Sequence, residues 1–429
     1  MNRLKILWLN HFVPYPPKGG CFQRTYNLIS RLGAEHEVHL IAMRPKAATH
    51  PEAETREARR ELEKHCASVE ILDITAVTTP IRLGLRGLAS VAGGRPLTVT
   101  IFESKAMAAA IRRVLGAHPI DLVHFDTISL APYLPLVGDR ATTMTHHGAE
   151  SYMIRRRIAR ERNPLRKAFF FAEWLALERY ERRYCDRFGA NLVMSALDEQ
   201  ILRSIAPRAQ FVVVPNGVDV DLFTPAPSGA ANGRALIFAG RLDQYSNRDA
   251  ILYFVRDVWP RVRASNPDVT MHIIGANPPA ELKEAAAADP RLQVHGFVPD
   301  VRPFFRQSTV AVCPIRDGGG TRIKVLDALA QGMPLVATTI GCEGIDVVSG
   351  RDLLIADSPE AFAAEIDRLL GDEGLRQRLA TNARRLAVDK YSWNGIAGRL
   401  STLCRDLVAA RATAAGKTNA APASSTGAA

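Results

Sequence analysis

Strand-like apolar runs alternate with helix-like stretches along most of the chain. In the first half the predicted strands are 4–9, 37–43, 68–74, 120–125, 141–145, 190–194 and 211–214. The predicted helices among them are 22–32, 52–65, 98–116, 165–185 and 196–204. The second half repeats the rhythm, with strands at 234–239, 269–274, 291–294, 308–314 and 334–338 and helices near 247–264, 299–307, 322–331 and 358–388. This alternation predicts an α/β fold with two parallel sheets, each covered by helices.

Breaks in the pattern divide the chain into domains. Proline, serine and glycine cluster between the two halves, which predicts an N-terminal domain at 1–214, a linker at 215–233 and a C-terminal domain at 234–390. Apolar residues recur at helical spacing over 391–411, and this segment is expected to be a helix. Small and polar residues fill 412–429, and we expect that tail to be disordered.

Composition limits the classes of protein to consider. The 429 residues are 47% hydrophobic, and no apolar run reaches the ~18–20 residues that span a bilayer. The first run, 4–9, is short and lacks a small-residue cleavage site, so it predicts a strand rather than a signal peptide. Six scattered cysteines without a C-x-x-C pair predict reduced thiols in the cytosol and no zinc site.

Positive charge is concentrated in the N-terminal half. The net charge is +11, and residues 1–190 carry 29 basic against 19 acidic side chains. The remaining residues are almost neutral. A basic surface of this kind suggests an anionic membrane face, a nucleic acid or an anionic substrate as the partner.

One loop has the composition of an anion site. Three glycines at 318–320 follow the apolar run Val310 to Pro314, and Thr321, Arg322 and Lys324 stand at the start of the next predicted helix. Glycines let a ligand approach the backbone, and free N–H groups at a helix N-terminus attract anions. A phosphate group is therefore the expected ligand; the alternative is a glycine-rich turn with solvated basic residues.

Three more loops follow predicted strands directly: 16–20, 146–151 and Gly240-Arg241. Ligands of open parallel sheets bind at the carboxyl ends of the strands, where these loops lie.

Together these segments resemble the GT-B glycosyltransferases of family four, a retaining, nucleotide-sugar-dependent group. The branch that they resemble most is associated with exopolysaccharide and PEP-CTERM/exosortase clusters. The resemblance is carried by the segments 14–20 with Arg24, 147–151, 214–219, 238–243 and 318–332. It implies two Rossmann-like, doubly wound domains that face each other across a cleft, with helix 391–411 packing back toward the N-terminal domain.

The resemblance also implies roles for individual residues. Arg241 and Lys324 would neutralise the donor diphosphate as the nucleotide leaves. His147 would act beside the transferring sugar, although the adjacent His146 leaves the assignment uncertain by one residue. The remaining donor-binding residues would be Gly19, Gly20, Gly318, Gly319, Gly320, Thr321, Arg322, Asp327 and Val298.

Several of these positions have a structural alternative. Arg241 could form a surface ion pair with Asp243, and Val298 could belong to an apolar wall instead of flanking the nucleotide base. His147 could be a buried, hydrogen-bonded histidine, and the 19–20 glycines a plain turn. Glu150, in the same loop as His147, is expected to anchor that loop.

Two departures from the family pattern concern the sugar end of the donor. The family has two glutamates eight residues apart around the glycine loop, whereas this chain has Gly319 and Asp327. Many relatives also have a lysine a few residues after the Gly-Arg pair, and here Arg248 or Lys324 would substitute. The identity of the sugar therefore stays open.

Partners and cofactors follow from the same resemblance. The donor would be a nucleotide-diphosphate sugar, the acceptor a lipid-linked chain or a polysaccharide of the cell envelope, and no cofactor or metal is expected. Asp219-Val220-Asp221 is expected to form a turn rather than a metal site. The predicted helix 165–185 is rich in aromatic residues, which are expected to pack on the N-terminal domain. Several arginines precede this helix, and they are expected to face water or an anionic membrane.

These features predict a cytoplasmic enzyme, peripheral on the inner face of the membrane, that does not bind nucleic acid. Two other functions stay open. One is a nucleotide-sugar epimerase of the same architecture. The other is a non-catalytic nucleic-acid-binding protein, which the basic N-terminal half suggests. A catalytically degenerate sensor of nucleotide sugars is a further alternative, motivated by Gly319 and Asp327.

Overall fold

The computed structural model describes residues 3–45, 52–74, 87, 90, 93–226, 234–318 and 320–419. The chain forms two compact units. The N-terminal unit consists of Met1–Val214 and Ala397–Ala429, and the C-terminal unit of Pro215–Ile396.

The N-terminal unit is built on a seven-stranded parallel sheet with the order β3-β2-β1-β4-β5-β6-β7. Its strands are β1 Lys5–Asn10, β2 Glu37–Pro45, β3 Ser68–Ile74, β4 Leu122–Phe125, β5 Ala141–Thr145, β6 Ala190–Val193 and β7 Phe211–Val213. The central strand β1 pairs Leu7 with His39 on one side and with Val123 on the other. Strands buried on both faces read as continuous apolar runs, and for this reason the sequence located all seven.

Helices cover both faces of this sheet. They are α1 Gly20–Glu35, α2 Glu52–Glu63, α3 Leu97–Ile101, α4 Lys105–Ala117, α5 Glu150–Arg160, α6 Pro164–Tyr184 and α7 Ala196–Ile205, with 3-10 turns at Ile128–Leu136 and Cys185–Arg187. The predicted helix 98–116 is two helices, because the Ser104 hydroxyl accepts from the N–H of Met107 and begins α4. Asn163 and Ser195 cap α6 and α7 in the same manner.

The C-terminal unit contains a six-stranded parallel sheet with the order β10-β9-β8-β11-β12-β13. Its strands are β8 Ala235–Ala239, β9 Thr270–Ile274, β10 Leu292–Gly296, β11 Val310–Cys313, β12 Leu335–Ala337 and β13 Leu354–Ile355. The first five match predicted strands. The sixth has only two residues, and the short apolar run 353–356 that contains it was not among the predicted strands.

The helices of this unit are α8 Tyr245–Tyr253, α9 Trp259–Ser265, α10 Ala280–Ala288, α11 Arg302–Gln307, α12 Ile323–Ala330, α13 Pro359–Gly371 and α14 Glu373–Tyr391, with a π-helical turn at Phe254–Val258 and a 3-10 turn at Ile340–Cys342. The predicted helix 358–388 is interrupted at Asp372, whose carboxylate accepts from the N–H of Leu375 at 2.8 Å and starts α14.

The predicted linker 215–233 is an ordered part of the C-terminal unit as far as residue 226, and 227–233 lie outside the described residues. The N–H of Val218 donates to the carbonyl of Tyr391 at 2.8 Å, and the guanidinium of Arg384 donates to the carbonyls of Val220 and Phe223. Asp219 accepts from two backbone N–H groups that follow it, so this aspartate forms a turn as expected.

The last helix, α15 Trp393–Asn419, begins in the C-terminal unit and continues in the N-terminal unit. In the latter, Ser401 and Arg405 both donate to the carboxylate of Glu35, and His36 lies 2.8 Å from the Ser401 hydroxyl. The helix passes the predicted boundary at 411, because alanines at 409–415 favour helix. The prediction of disorder is wrong for 412–419, which are helical, and the rest of that tail, 420–429, lies outside the described residues.

Buried apolar residues form one core cluster around β1 and β4 in the N-terminal unit and two clusters around β8 and β11 in the C-terminal unit. All six cysteines lie in the described ranges, and none forms a disulfide there. Among the described residues, no helix combines the length and the apolar content that a membrane span requires.

Candidate functional site

The glycine loop connects β11 to α12 at the carboxyl edge of the C-terminal sheet. Gly318 and Gly320 have φ angles of 113° and 77°, which favour glycine, whereas Gly319 lies outside the described residues. Arg322 is the N-cap of α12, and a Cβ on Gly318 would lie 3.1 Å from its guanidinium. The loop thus places this cation directly over the glycine backbone.

Thr321 adds a polar group to the same loop. Its hydroxyl oxygen is buried and has no hydrogen-bond partner among the described residues. A buried hydroxyl without a partner costs free energy, so a ligand atom that bonds to Thr321 would remove a penalty of about 1–3 kcal/mol.

Lys324 is held in place by three neighbours. Its Nζ donates to Asn247 Oδ1 at 2.7 Å and lies 4.2 Å from the ring centroid of Phe238. Gly240 leaves the space for this ammonium group, since a Cβ there would collide with Nζ. Burial lowers the pKa of Lys324 to about 8. This partly desolvated cation would gain more from a bound phosphate than a solvated one.

Asp327 follows Lys324 by one turn of α12. Burial raises the pKa of Asp327 to about 7, although the Lys324 ammonium opposes the shift. The carboxyl group is therefore partly protonated near neutral pH and can donate as well as accept a hydrogen bond.

Arg241 forms the surface ion pair that was its structural alternative. Its guanidinium binds both carboxylate oxygens of Asp243, at 3.2 and 2.8 Å, and its side chain is 57% exposed. Arg248 is also exposed and pairs with Glu281 at 2.9 Å. Of the cations named for the diphosphate, Lys324 is the one that the fold holds in a fixed position.

Val298 is half-buried and packs on the core that includes α12, while the preceding Phe297 is exposed. This arrangement agrees with an apolar wall under Val298. The exposed Phe297 ring is the better surface of the two for stacking on a base.

In the N-terminal unit, Gly19 is the N-cap of α1 and Gly20 its first residue. The φ angle of Gly19 is 115°, and a Cβ there would meet only the Phe22 ring, at 3.9 Å. Conformation rather than crowding therefore requires glycine at this position. The free N–H groups of the first turn of this sixteen-residue helix form a second place where an anion is favoured.

His147 follows β5 and is paired with Asp126, which follows β4. The Nε2 of His147 donates to the backbone carbonyl of Asp126 at 2.9 Å and lies 3.5 Å from its Oδ1. Burial alone would lower the pKa of His147, but Asp126 and Cys21 raise it to about 10. Burial opposes ionisation of Asp126 as well, yet His147 and His124 hold the pKa of this carboxyl well below its usual range.

The structure distinguishes His147 from its neighbour. His146 is fully buried, lies 3.2 Å from Asn191 Oδ1, and has a pKa that burial lowers to about 4. Glu150 begins α5 and accepts from the hydroxyl of Thr127 at 3.2 Å, which agrees with its expected anchoring role.

Sequence reasoning missed Asp126 and its supports. Thr25 donates to Asp126 Oδ2 at 2.7 Å, and the guanidinium of Arg24 is fully buried, with Asp126 the first of the charges that favour its protonated form. Asp126 directly follows a buried strand, the same signal that singled out the 146–151 loop, and could have been found from it.

The basic helix pair α5–α6 differs from the expectation of core packing. In α6 burial begins only at Glu173, and the aromatic residues of this helix before it are half-buried or exposed. Arg157 lies 4.4 Å from the ring centroid of Phe170 and Arg155 lies 5.6 Å from that of Trp174, so arginines cover these rings.

Two family models match the chain, one over each half. The model described as Glycosyltransferase Family 4 matches residues 18–222, and the model described as Glycosyl transferases group 1 matches residues 233–372. Together the two matches take in most of the chain.

Similar curated proteins include two from Mycolicibacterium smegmatis. The GDP-mannose-dependent alpha-(1-6)-phosphatidylinositol monomannoside mannosyltransferase is 24% identical over 335 residues, which cover 71% of this chain and 82% of that protein. The phosphatidyl-myo-inositol mannosyltransferase is 29% identical over 198 residues, which cover 44% of this chain and 50% of that protein. Neither name refers to the exopolysaccharide branch named in the sequence analysis.

Solved structures share the whole architecture at low identity. Sucrose-phosphate synthase from Thermosynechococcus elongatus superposes with a TM-score of 0.67 at 18% identity, over 95% of this chain and 100% of that one. Anabaena HepE, solved in complex with UDP, has a TM-score of 0.66 at 14% identity, over 94% of this chain and 100% of that one. At such identities the likeness establishes the fold, two Rossmann-like domains of the GT-B kind.

Proposed function

The chain is of the GT-B glycosyltransferase type of group 1 and family 4, and from that premise we propose that it transfers a hexosyl residue from a nucleoside diphosphate sugar to a cell-envelope acceptor. The observation that carries the proposal is the position of Lys324, which Asn247, Phe238 and Gly240 hold beside the glycine loop.

In this proposal the C-terminal unit binds the donor diphosphate. The Lys324 ammonium, the Thr321 hydroxyl and the loop amides supply positive charge and hydrogen bonds to the phosphate oxygens. These groups stabilise the leaving nucleotide as its negative charge grows. Arg241 joins them by exchanging its Asp243 partner for phosphate, and Asp327 bonds to a ribose hydroxyl.

His147 of the N-terminal unit acts at the transferring sugar. Its Nε2 proton is committed to the Asp126 carbonyl and its ring also contacts Cys21, so its contribution is a fixed positive charge that offsets negative charge at the sugar. We propose transfer with retention, in which a leaving phosphate oxygen accepts the proton of the acceptor hydroxyl on the face that is attacked. The residues then position the substrates and neutralise charge.

The names of similar proteins suggest which donors to test. One relative is GDP-mannose-dependent and one neighbour was solved with UDP, so GDP-mannose and UDP-glucose are the first candidates. The acceptor is proposed to be a lipid-linked or exopolysaccharide chain. No metal or cofactor is assigned to the transfer step, and activity in excess EDTA tests that assignment.

An anionic membrane is the proposed site of action, on the cytoplasmic side. Helices α5 and α6 present arginines together with exposed apolar side chains, among them Leu165 (81% exposed) and Phe171 (49% exposed). Basic and apolar groups on one surface favour binding to anionic lipid. Vesicles containing phosphatidylglycerol should sediment the wild type and not a Leu165→Ser/Phe171→Ser variant, while Leu197→Ser on α7 should bind as wild type does.

A thermal-shift panel of nucleoside diphosphate sugars tests the donor proposal. One donor should raise the melting temperature of the wild type, since a ligand that binds only the folded state stabilises it. Lys324→Gln should abolish the shift, and the matched control Lys283→Gln, at an exposed position on α10, should keep it. If no donor stabilises the protein, the proposal is wrong.

Product analysis separates the transferase from its alternatives. An epimerase would convert the donor sugar without an acceptor, and a non-catalytic sensor would bind the donor without turnover. If the wild type transfers the sugar and releases the nucleoside diphosphate, and Lys324→Gln does not, both the epimerase and the sensor are excluded. Salt-sensitive binding of RNA or DNA without donor binding would favour the nucleic-acid alternative.

A further inference from the structure

Three side chains at the amino edge of the N-terminal sheet form a cluster that the proposed transfer does not use. Glu37 is the first residue of β2, His39 follows two residues later on the same face of the strand, and His118 is the C-cap of α4. One ligand atom from each lies within 4.8 Å of the other two. The rings of His39 and His118 are in contact, with centroids 4.2 Å apart and a tilt of 33° between their planes.

The hydrogen bonds of His39 are compatible with those of a metal ligand. Its Nδ1 lies 2.8 Å from the hydroxyl of Ser68, and its Nε2 lies 3.1 Å from Glu37 Oε1. Without a metal, the Nε2–H donates to the carboxylate, which only accepts, and Nδ1 accepts from the Ser68 hydroxyl. When a cation replaces the Nε2 proton, the ring takes the other tautomer and Nδ1 donates to Ser68, as the second ring nitrogen of a ligating histidine characteristically does.

Lys5 shows that the cluster already attracts positive charge. Its ammonium lies 3.3 Å from Glu37 Oε1 and is about one-third exposed, so it can withdraw into water when another cation arrives. His118 is half-buried at the C-terminal end of α4.

We propose that Glu37, His39 and His118 bind one Zn²⁺ ion, with water in the fourth position. Two imidazoles and one carboxylate are a common zinc ligand set, with bonds of about 2.0–2.2 Å, and small side-chain rotations bring the present spacing to that value. The ion would join the end of α4 to the start of β2. Asp126 and His147 follow the carboxyl ends of their strands, so this site lies at the other edge of the sheet and acts on stability rather than on transfer.

No zinc site was expected, because the cysteines are scattered and short ligand spacings are missing from the sequence. The Glu37-x-His39 pair was a usable signal, since alternate residues of a strand share a face. His118, 79 positions after His39, could not be connected with them before the fold was known.

Calorimetric titration of the chelator-treated full-length chain with ZnCl₂ tests the site. One ion should bind per chain, and Glu37→Gln and His118→Ala should each weaken binding at least about tenfold. The control His65→Ala removes a histidine outside the cluster and should bind as the wild type does. Co²⁺ bound to the wild type should show the visible absorption bands of a cobalt ion with low coordination number. These bands should be lost in His118→Ala.

Folding is checked separately by melting each variant without metal. His118→Ala should melt near the wild type in EDTA, and Zn²⁺ should raise the melting temperatures of the wild type and His65→Ala more than those of Glu37→Gln and His118→Ala. Equal Zn²⁺ binding by the wild type, Glu37→Gln and His118→Ala would overturn the proposal. The readout is metal binding, so failure here leaves the proposed transferase function unaffected.

Discussion

His147 donates its Nε2 proton to the backbone carbonyl of Asp126 at 2.9 Å, and the same nitrogen lies 3.5 Å from the carboxylate Oδ1 of that residue. A carbonyl oxygen only accepts, so this nitrogen must carry a proton. The carboxylate then favours a second proton on the ring. His147 is therefore an imidazolium at neutral pH, fixed in orientation and charged before any substrate arrives.

Asp126→Asn should neutralise His147. Without the carboxylate, burial dominates, and the pKa of His147 should fall from about 10 to below its ordinary value of 6.5. Removing one member of a buried ion pair should also reduce the free energy of unfolding by about 3 kcal/mol at pH 7. Ring-proton NMR titration of His147 and urea unfolding measure the two effects.

Thr25→Val is the matched control for that variant. It removes the hydrogen bond to Asp126 Oδ2 and leaves the charge in place, so it should cost about 1 kcal/mol and keep the pKa of His147 above neutrality. A wild-type His147 that titrates near 6.5 would show that the ion pair does not form.

The same pair sets a dependence of stability on alkaline pH. The pKa of His147 is about 10 in the folded protein, against 6.5 for an unperturbed histidine, so the folded state holds the proton more tightly than the unfolded chain does. Its stabilisation is complete below pH 6.5 and is lost as pH rises through about 10. The difference in unfolding free energy between the wild type and Asp126→Asn should shrink over that window. A constant difference from pH 6 to pH 10 would argue against a protonated His147.

Donor affinity should depend on the charge of Lys324. Because its pKa is about 8, free enzyme loses this cation as pH rises through that value, and binding of a nucleoside diphosphate should weaken. Losing a charged hydrogen bond of this kind is worth about 1.5–3 kcal/mol, or roughly 10- to 100-fold in Kd. Calorimetry at pH 7 and pH 9.5 measures it.

Lys324→Arg provides the control, since a guanidinium stays charged over that range. Its affinity for the nucleoside diphosphate can differ from that of the wild type, but it should change little between pH 7 and pH 9.5. A wild type whose affinity is the same at both values would mean that Lys324 does not contact the phosphates.

Gly240→Ala should displace Lys324 without unfolding the protein. The new Cβ would collide with Nζ, the far end of a flexible side chain, so the ammonium moves and its bond to Asn247 is broken. We expect a stability loss of about 1 kcal/mol and donor binding weakened at least about tenfold. Gly398→Ala, in α15 with open space around it, should bind donor normally and gain about 0.5–1 kcal/mol. Equal donor affinity in both variants would remove Lys324 from the site.

The fold was predictable because buried parallel strands leave continuous apolar runs in the sequence. The runs predicted β1 through β12 close to their observed bounds, while β13 has only two residues, in the short run 353–356, and was missed. Helix α5 was missed because arginines occupy much of it and no apolar stripe marks its buried face.

The site was predictable in part. Lys324 and the glycine loop are adjacent in sequence, so their chemistry was readable from the chain. The partners Asp126, Asn247 and Phe238 come from other strands and loops, and only the order of strands in each sheet brings them close. The exposure of a side chain also depends on the tertiary structure. For this reason the sequence could not show that Arg241 is exposed and paired with Asp243 whereas Lys324 is held in place.

Asp327→Asn should stabilise the free protein at neutral and alkaline pH. Burial raises the pKa of Asp327 to about 7, so the folded state keeps a proton that the unfolded state has lost above its ordinary pKa of 3.8. The resulting loss of stability begins near pH 4, grows with rising pH and levels off above pH 7, and the amide avoids it. The variant should therefore gain roughly 4 kcal/mol at pH 8, about half of that at pH 5.5 and little at pH 4. The exposed control Asp389→Asn on α14 should show no such pH dependence in urea unfolding.

If Asp327 also binds ribose, the more stable Asp327→Asn variant should bind the nucleoside diphosphate more weakly. A variant that gains stability and keeps full affinity would confine this residue to a structural role.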